Sequence, residues 1–315
     1  VLFLRWPAVV DHHQATTSQT PLPAYTSTMN SLDQESTALA HFLQRHPKVA
    51  VLTGAGISEA SGIPTYRDSR GHWLHSEPIK HQEFVSEPAR RKRYWARSMR
   101  GWPRVRDAMP NRAHQALARL EQAGHVQLVI TQNVDRLHQR AGHQQVIDLH
   151  GRLDRVQCLD CGGFQCRNQL QNELTALNSV RLRTVTTPAR PDGDADLSDD
   201  LVDTVQVPGC RECGGTLMPD VVFFGGTVPR QRVDACMAAV EDADALLVIG
   251  SSLQVFSGFR FCRRAAQANK PIAIMNPGVT RADDLAAVKW HSDCGALLSR
   301  VIRQLGLSSA PGSPS

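Results

Sequence analysis

The chain has 315 residues, of which 41% are hydrophobic and 21% charged. It contains no apolar run of about 18 residues, which predicts a soluble globular protein and excludes a helical membrane span. The net charge of +5 reflects 35 cations against 30 acids, with Lys at only five positions. The Arg excess is spread along the chain, unlike the clustered footprint of a nucleic-acid binder.

The length suits one large core with a small inserted module. Residues 1–10 are apolar but broken by Arg5 and Pro7, and they match neither a signal peptide nor a transit helix. Val1 reads as a literally translated GTG start, with Met29 as an alternative start. Residues 11–30, rich in Ser, Thr, Pro and Gln, complete a segment 1–30 expected to be disordered. The fold begins at Ser31-Leu-Asp-Gln34, which spells a capping box, and Leu39, Phe42 and Leu43 recur at helical spacing over 32–45.

Short apolar runs follow at 49–52, 126–131, 146–149, 245–249 and 272–275, each ending in a polar or glycine-bearing stretch. Helical patterns lie between several of them, including 113–123 and 233–243. Buried strands alternating with helices predict an α/β fold with a Rossmann-like, doubly wound parallel sheet. The large domain then comprises 31–153 and 218–305, with function at the carboxyl ends of its strands. Residues 68–110, carrying Trp73, Trp95 and Trp102, are expected to form a helical flap. Residues 154–217 are expected to form an inserted zinc-ribbon module with a poorly ordered loop, a long polar stretch that includes the acidic region 192–203. Residues 306–315 read as a disordered tail.

The eight cysteines are too sparse for a disulfide scaffold. Cys158-x-x-Cys161 and Cys210-x-x-Cys213 are spaced for metal binding in a reducing compartment, and four thiolates make a closed tetrahedral zinc site. Two redox dithiols are the alternative, and Cys166 is a possible decoy ligand. This usage suggests the cytoplasm of a bacterium, or the mitochondrial matrix in a eukaryote.

Gly54-Ala55-Gly56-Ile-Ser58 directly follows a strand, where glycines let backbone N–H groups approach a phosphate. The hydride-enzyme fingerprint needs Gly at the position of Glu59, so an ordinary nicotinamide dehydrogenase is disfavoured. His150 stands where a strand meets the site edge and is positioned to act as a general base. Thr131-Gln132-Asn133-Val-Asp135, Gly250-Ser251-Ser252 and Asn276-Pro277-Gly278 occupy the same edge. Singly, each could be a cap or a turn.

Together with Gly62-Ile63-Pro64, Tyr66-Arg67, Leu149-His-Gly151 and Pro219-Asp-Val-Val-Phe-Phe-Gly225, these motifs resemble the sirtuin family in order, from about residue 35 to 303. The wording Arg93-Tyr-Trp-Ala-Arg97, Pro191-Asp-Gly193 and Val221-Val-Phe-Phe-Gly225 is similar to the class II branch. The resemblance implies an NAD-consuming protein lysine deacylase. In that chemistry the acyl-lysine oxygen attacks the ribose carbon bearing nicotinamide, nicotinamide leaves, and the acyl group ends on ADP-ribose as the 2′-O-acyl ester. It implies that Asn133 and Asp135, with Ser58 and Ile63, line the nicotinamide pocket, and that Arg67 helps order the cofactor loop. His150 takes the ribose hydroxyl proton. Gly250, Ser251, Ser252 and the Asn276 turn meet the rest of NAD, with Cys294 beside the adenine. Val222, Phe223, Phe224 and Gly225 on one side, and Leu253 and Val255 on the other, would pair with a peptide strand. Expected partners are acyl-lysine proteins or peptides, bound by a monomer without nucleic acid or membrane.

This chain departs from the family at Thr65-Tyr66-Arg67-Asp68, where a phenol replaces the usual apolar ring, and at Gly226, where an acid is usual. Tyr94 and Arg97 share a helix face and resemble the class III pair that holds acyl carboxylates. Long or acid-terminated acyl groups are therefore expected to outrun acetyl. Mono-ADP-ribosyl transfer is the rival enzyme reading. A zinc-ribbon nucleic-acid binder, with Arg90-Arg-Lys-Arg93 as its patch, is the rival from another class.

Overall fold

The computed structural model describes residues 31–68, 70–74, 78–178, 193–195 and 197–307. The segments 1–30 and 308–315, and Pro191-Asp192, lie outside the described residues. Helix α1 (Ser31–Arg45) buries Ser36, Leu39, Ala40, Phe42 and Leu43 along one face and leads into β1 (Val49–Thr53), every residue of which is buried. The glycine-bearing turn after β1 winds as a 3-10 helix, Ala55–Ser61, rather than as the start of an α-helix. Helices α2 (His81–Ser86), α3 (Pro88–Asp107) and α4 (Arg112–Gln122) follow. Pro88 opens α3 where a missing N–H costs nothing. The Asn111 side chain caps α4, accepting from the Ala113 amide at 2.9 Å.

The chain then runs through β2 (Val126–Thr131), α5 (Leu137–Arg140) and β3 (Val146–Asp148). Next come β4 (Gly151–Cys158), β5 (Phe164–Cys166), α6 (Arg167–Leu177), α7 (Asp199–Asp203) and β6 (Leu217–Val221). The last third supplies α8 (Arg230–Asp242), β7 (Ala245–Ile249), α9 (Phe256–Gln267), β8 (Ile272–Met275), β9 (Val288–Trp290) and α10 (Cys294–Gln304).

The large sheet has the order β3-β2-β1-β7-β8-β9, and every pairing in it is parallel. Its two faces are covered by separate apolar clusters. Leu39, Leu43, Leu117, Leu120, Leu297 and Val301 pack on one side, and Val240, Phe261, Cys262 and Ala265 on the other. Strands buried on both faces explain why β1, β7 and β8 read as unbroken apolar runs. The chain reverses direction of addition between β1 and β7, and this switch point is where such sheets bind ligands.

The helical flap over 68–110 and the module inserted over 154–217 share one core: Phe84, Trp95 and Met99 of the first pack with Val156, Leu170, Leu174 and Val202 of the second. Three expectations need correction. The boundaries at 154 and 217 cut through the antiparallel β5-β4-β6 sheet, which spans residues 151–221. Within the acidic stretch, Ala195 and Val202 are buried, the latter on α7, so its described part is packed structure. At the C-terminus, Gly306 and Leu307 donate to Arg303 O and Ile302 O, closing α10 rather than opening a tail.

Candidate active site

A cleft of about 1070 Å³ runs along the carboxyl edge of the parallel sheet, between it and the small domain. Its floor is made by two loops in close contact. Gly56 N donates to Gly250 O at 2.8 Å, and Gly54 N to Ile249 O at 3.0 Å. A Cβ at Gly250, whose φ is 60°, would lie 2.5 Å from Ile57 N, and one at Gly54 would lie 2.7 Å from Ser251 Cβ. Only glycine permits this approach, and it leaves a backbone-lined cradle suited to a phosphate group.

Around the cradle the cleft wall brings together Gln132, Asn133, His150, Ser251, Ser252 and the Asn276-Pro277-Gly278 turn. Asn276 Nδ2 donates to Gly278 O at 2.9 Å, fixing that turn. Cys294 also lines the cleft. Burial pushes its thiol up to about 12, so it presents an uncharged sulfur.

Ser58, Ile63 and Asp135 stand behind the wall rather than on it: Ser58 and Ile63 are buried, and Asp135 is 9% exposed. Ser58 Oγ donates to Asp135 Oδ2 at 2.7 Å, and the Leu137 amide donates to Oδ1 at 2.9 Å. Burial raises the Asp135 carboxyl above its ordinary range, while those two hydrogen bonds favour its ionised form. Asn133 Nδ2 donates to Ser58 Oγ and to Gly54 O, each at 3.0 Å. The buried pair therefore aims the Asn133 amide, which does reach the cleft.

The loop after Ile63 closes over the site. Arg67 donates to Gly71 O at 2.7 Å, and its guanidinium lies 3.9 Å from the Trp73 ring centroid. Tyr66, Trp73 and Phe224 pack edge to face. The substituted phenol is thus part of an aromatic lid joined to the 222–225 segment. That segment already spends three main-chain groups: Val222 N donates to His150 O and Phe224 O accepts from His81 N, both at 2.8 Å, and Phe223 O accepts from Gly226 N at 2.9 Å. Across the cleft, buried Leu253 holds a left-handed φ of 57°, the kind of strain that clusters at functional sites.

His150 follows β3 in a turn rather than ending the strand. The next residue, Gly151, has φ 87°, and a Cβ there would lie 2.1 Å from Asp220 O. Burial lowers His150 to about 4, reinforced by the positive charges of Arg232 and Arg260, so it is neutral at pH 7.

In the small domain, Cys158, Cys161, Cys210 and Cys213 place their sulfurs within 4.8 Å of one another. Cys158 Sγ lies 3.6 Å from Cys213 Sγ, and Cys161 Sγ 3.8 Å from Cys210 Sγ. A tetrahedron with Zn–S bonds of about 2.3 Å has edges of about 3.8 Å. The four thiols fit one zinc ion with no open position, and Cys166 is outside the cluster.

The acyl-carboxylate role of Arg97 meets a competitor. Tyr94 and Arg97 both reach the cleft, but Arg97 Nε and Nη2 are held by Asp194 at 2.8 and 2.6 Å. Asp194 fell in a stretch read as loop, so its sequence gave no sign of the pair. The basic run is similarly engaged: Arg91 donates to Phe84 O at 3.1 Å, and Lys92 to Asp203 O at 2.7 Å.

A parallel sheet of this order, with a glycine cradle at its switch point, is a nucleotide-binding fold of Rossmann type. His150, neutral at pH 7, lines the same cleft. Comparison with known proteins narrows the class. The Sir2 family profile matches residues 54–257. NAD-dependent protein deacetylase 2 of Bradyrhizobium diazoefficiens is 51% identical over 271 residues, covering 86% of this chain and 99% of the relative. NAD-dependent protein deacylase SIR4 of Monosiga brevicollis is 48% identical, covering 85% and 88%. A solved Sir2 with a p53 peptide and NAD+ superposes with a TM-score of 0.69 at 29% identity, covering 86% of this chain and 98% of the other. A Sir2 bound to acetylated peptide gives 0.69 and 29%, covering 86% and 99%. The chain belongs to the Sir2 family.

Proposed function

We propose that the protein is an NAD-dependent protein lysine deacylase that releases nicotinamide, deacylated lysine and 2′-O-acyl-ADP-ribose. The observation that carries this reading is a neutral His150 at the sheet edge beside the glycine cradle. NAD, when bound, would supply a ribose carbon that parts with nicotinamide and a neighbouring ribose hydroxyl that accepts the acyl group. The cradle at Gly54, Gly56 and Gly250 would hold its phosphates, since a Cβ would fill the space they need. Asn133, aimed by Ser58 and Asp135, would hold the nicotinamide end. The Tyr66–Trp73–Phe224 lid shields the reacting centre from water, and His150 takes a proton from the ribose hydroxyl.

The substrate is an acyl-lysine peptide lying between residues 222–225 and 253–255, and the enzyme works as a cytoplasmic monomer. Zinc plays a structural part only, because four thiolates leave it no open position. The test is a panel of acyl-peptides incubated with NAD and scored for nicotinamide and for acyl-ADP-ribose by mass spectrometry. His150→Ala is expected to lose at least a hundredfold in turnover, the scale of a general base, while still binding NAD. ADP-ribose attached to protein without dependence on acyl-peptide would overturn the reading in favour of a transferase.

A further inference from the structure

A general base needs a free lone pair, and in this structure the lone pair of His150 is taken. Nδ1 lies 3.0 Å from Gln132 O. A carbonyl only accepts, so Nδ1 carries the proton and Nε2 is bare. Nε2 lies 2.7 Å from Ser257 Oγ, which must therefore donate to it. The imidazole is clamped at both nitrogens.

The clamp is built rather than incidental. Ser257 stands in the first turn of α9, and Gly258 beside it packs so tightly that a Cβ would lie 2.5 Å from Gln132 Oε1. Gln132 Nε2 is in turn fixed by Ser251 Oγ at 2.8 Å. The loop holding one nitrogen and the helix turn holding the other are thus in direct contact. Ser257 also lines the cleft, so its hydroxyl sits on the side from which a substrate hydroxyl would approach.

We infer that Ser257 is a positioning residue for the deprotonation step. This inference rests on the deacylase reading above. The Ser257 hydroxyl keeps the basic nitrogen of His150 pointed into the cleft. An incoming ribose hydroxyl displaces it and donates to the same lone pair. The O–H bond would then break, its proton passing to Nε2 and its electron pair staying on the ribose oxygen; as that oxygen bonded to the acyl carbon, the C=N π pair of the acyl-lysine adduct would move onto the lysine nitrogen. Nε2–H is left without that partner, and the Ser257 hydroxyl rotates to accept from it. The acceptor matters because Arg232 and Arg260 place positive charge near the imidazolium.

The experiment uses the zinc-loaded full chain as wild type, Ser257→Ala and Ser257→Thr. Two rates are measured: complete deacylation, and exchange of labelled nicotinamide into NAD in the presence of acyl-peptide. Exchange reports the chemistry that precedes deprotonation. Ser257→Ala is expected to lose roughly tenfold in deacylation kcat, about one hydrogen bond's worth. That loss should exceed the loss in exchange at least fivefold, and Ser257→Thr should recover most of it. Equal losses in both rates would mean a merely structural role and overturn the inference, as would an alanine variant with wild-type deacylation. A wild-type enzyme without acyl-dependent nicotinamide release would overturn the deacylase reading together with it.

Discussion

His114, His138 and His143 pack edge to face, with ring centroids 4.9 and 5.1 Å apart. His138 Nε2 lies 2.9 Å from Thr53 Oγ1, whose own hydroxyl donates to Thr131 Oγ1, and Thr131 accepts from the Asn133 amide. Each histidine keeps one buried ring nitrogen without a hydrogen-bond partner among the described residues. Burial lowers His114 to about 3 and His138 well below its usual value. It lowers His143 too, although Glu121 pulls the other way. All three are neutral when folded but bind protons once unfolded below about pH 6.5. Their contribution to stability is therefore complete above that pH and is lost as pH falls toward their folded values. Urea unfolding between pH 7 and 5 should show stability falling with acid, by up to about 1.4 kcal/mol per pH unit for each histidine. His114→Gln should flatten that slope by about one proton; a slope identical to wild type would refute the account.

At the scale of elements, the metal module is coupled to the cleft. Cys158 and Cys210 belong to the apolar cluster that also contains Phe84, Trp95 and Phe223, and Phe223 lines the cleft. The purified protein should hold one zinc per chain. Cys158→Ala should release it and raise the peptide KM at least fivefold, while NAD affinity changes less than twofold. Folded, metal-free protein with an unaltered peptide KM would contradict this coupling. The coupling was invisible in the sequence because Trp95 and Leu170 are joined only by tertiary packing. What could be read were patterns confined to one element: buried strands such as Val49–Thr53, the Cys-x-x-Cys pairs, and glycines beside strand ends. Strand β9 escaped notice because Lys289 interrupts its short apolar run and pairs with Asp283 at 2.8 Å. Ser257 escaped for a similar reason. A serine following Val255-Phe256 carries no spacing signal, and its role exists only where α9 meets the His150 turn.

For the molecule as a whole, the order of the central strands constrains how the chain can assemble during synthesis. Strand β1 pairs with β2 on one side and with β7 on the other, and Val49 meets Ala245 in that second pairing. A growing chain therefore completes β1, β2, β3 and the entire small domain before the second partner of β1 exists. Until then the apolar edge of β1 is a template for other chains. Such long-range pairing also predicts slow folding. A fragment ending at residue 243 should aggregate on expression, whereas the full chain should not; a soluble, monomeric fragment would show that the first half protects its own edge. The glycine loop after β1 and the one after β7 reach each other only when that edge is sealed. The cofactor cradle thus cannot form before β7 is in place, and every chain able to bind NAD is one whose synthesis has already passed its point of greatest hazard.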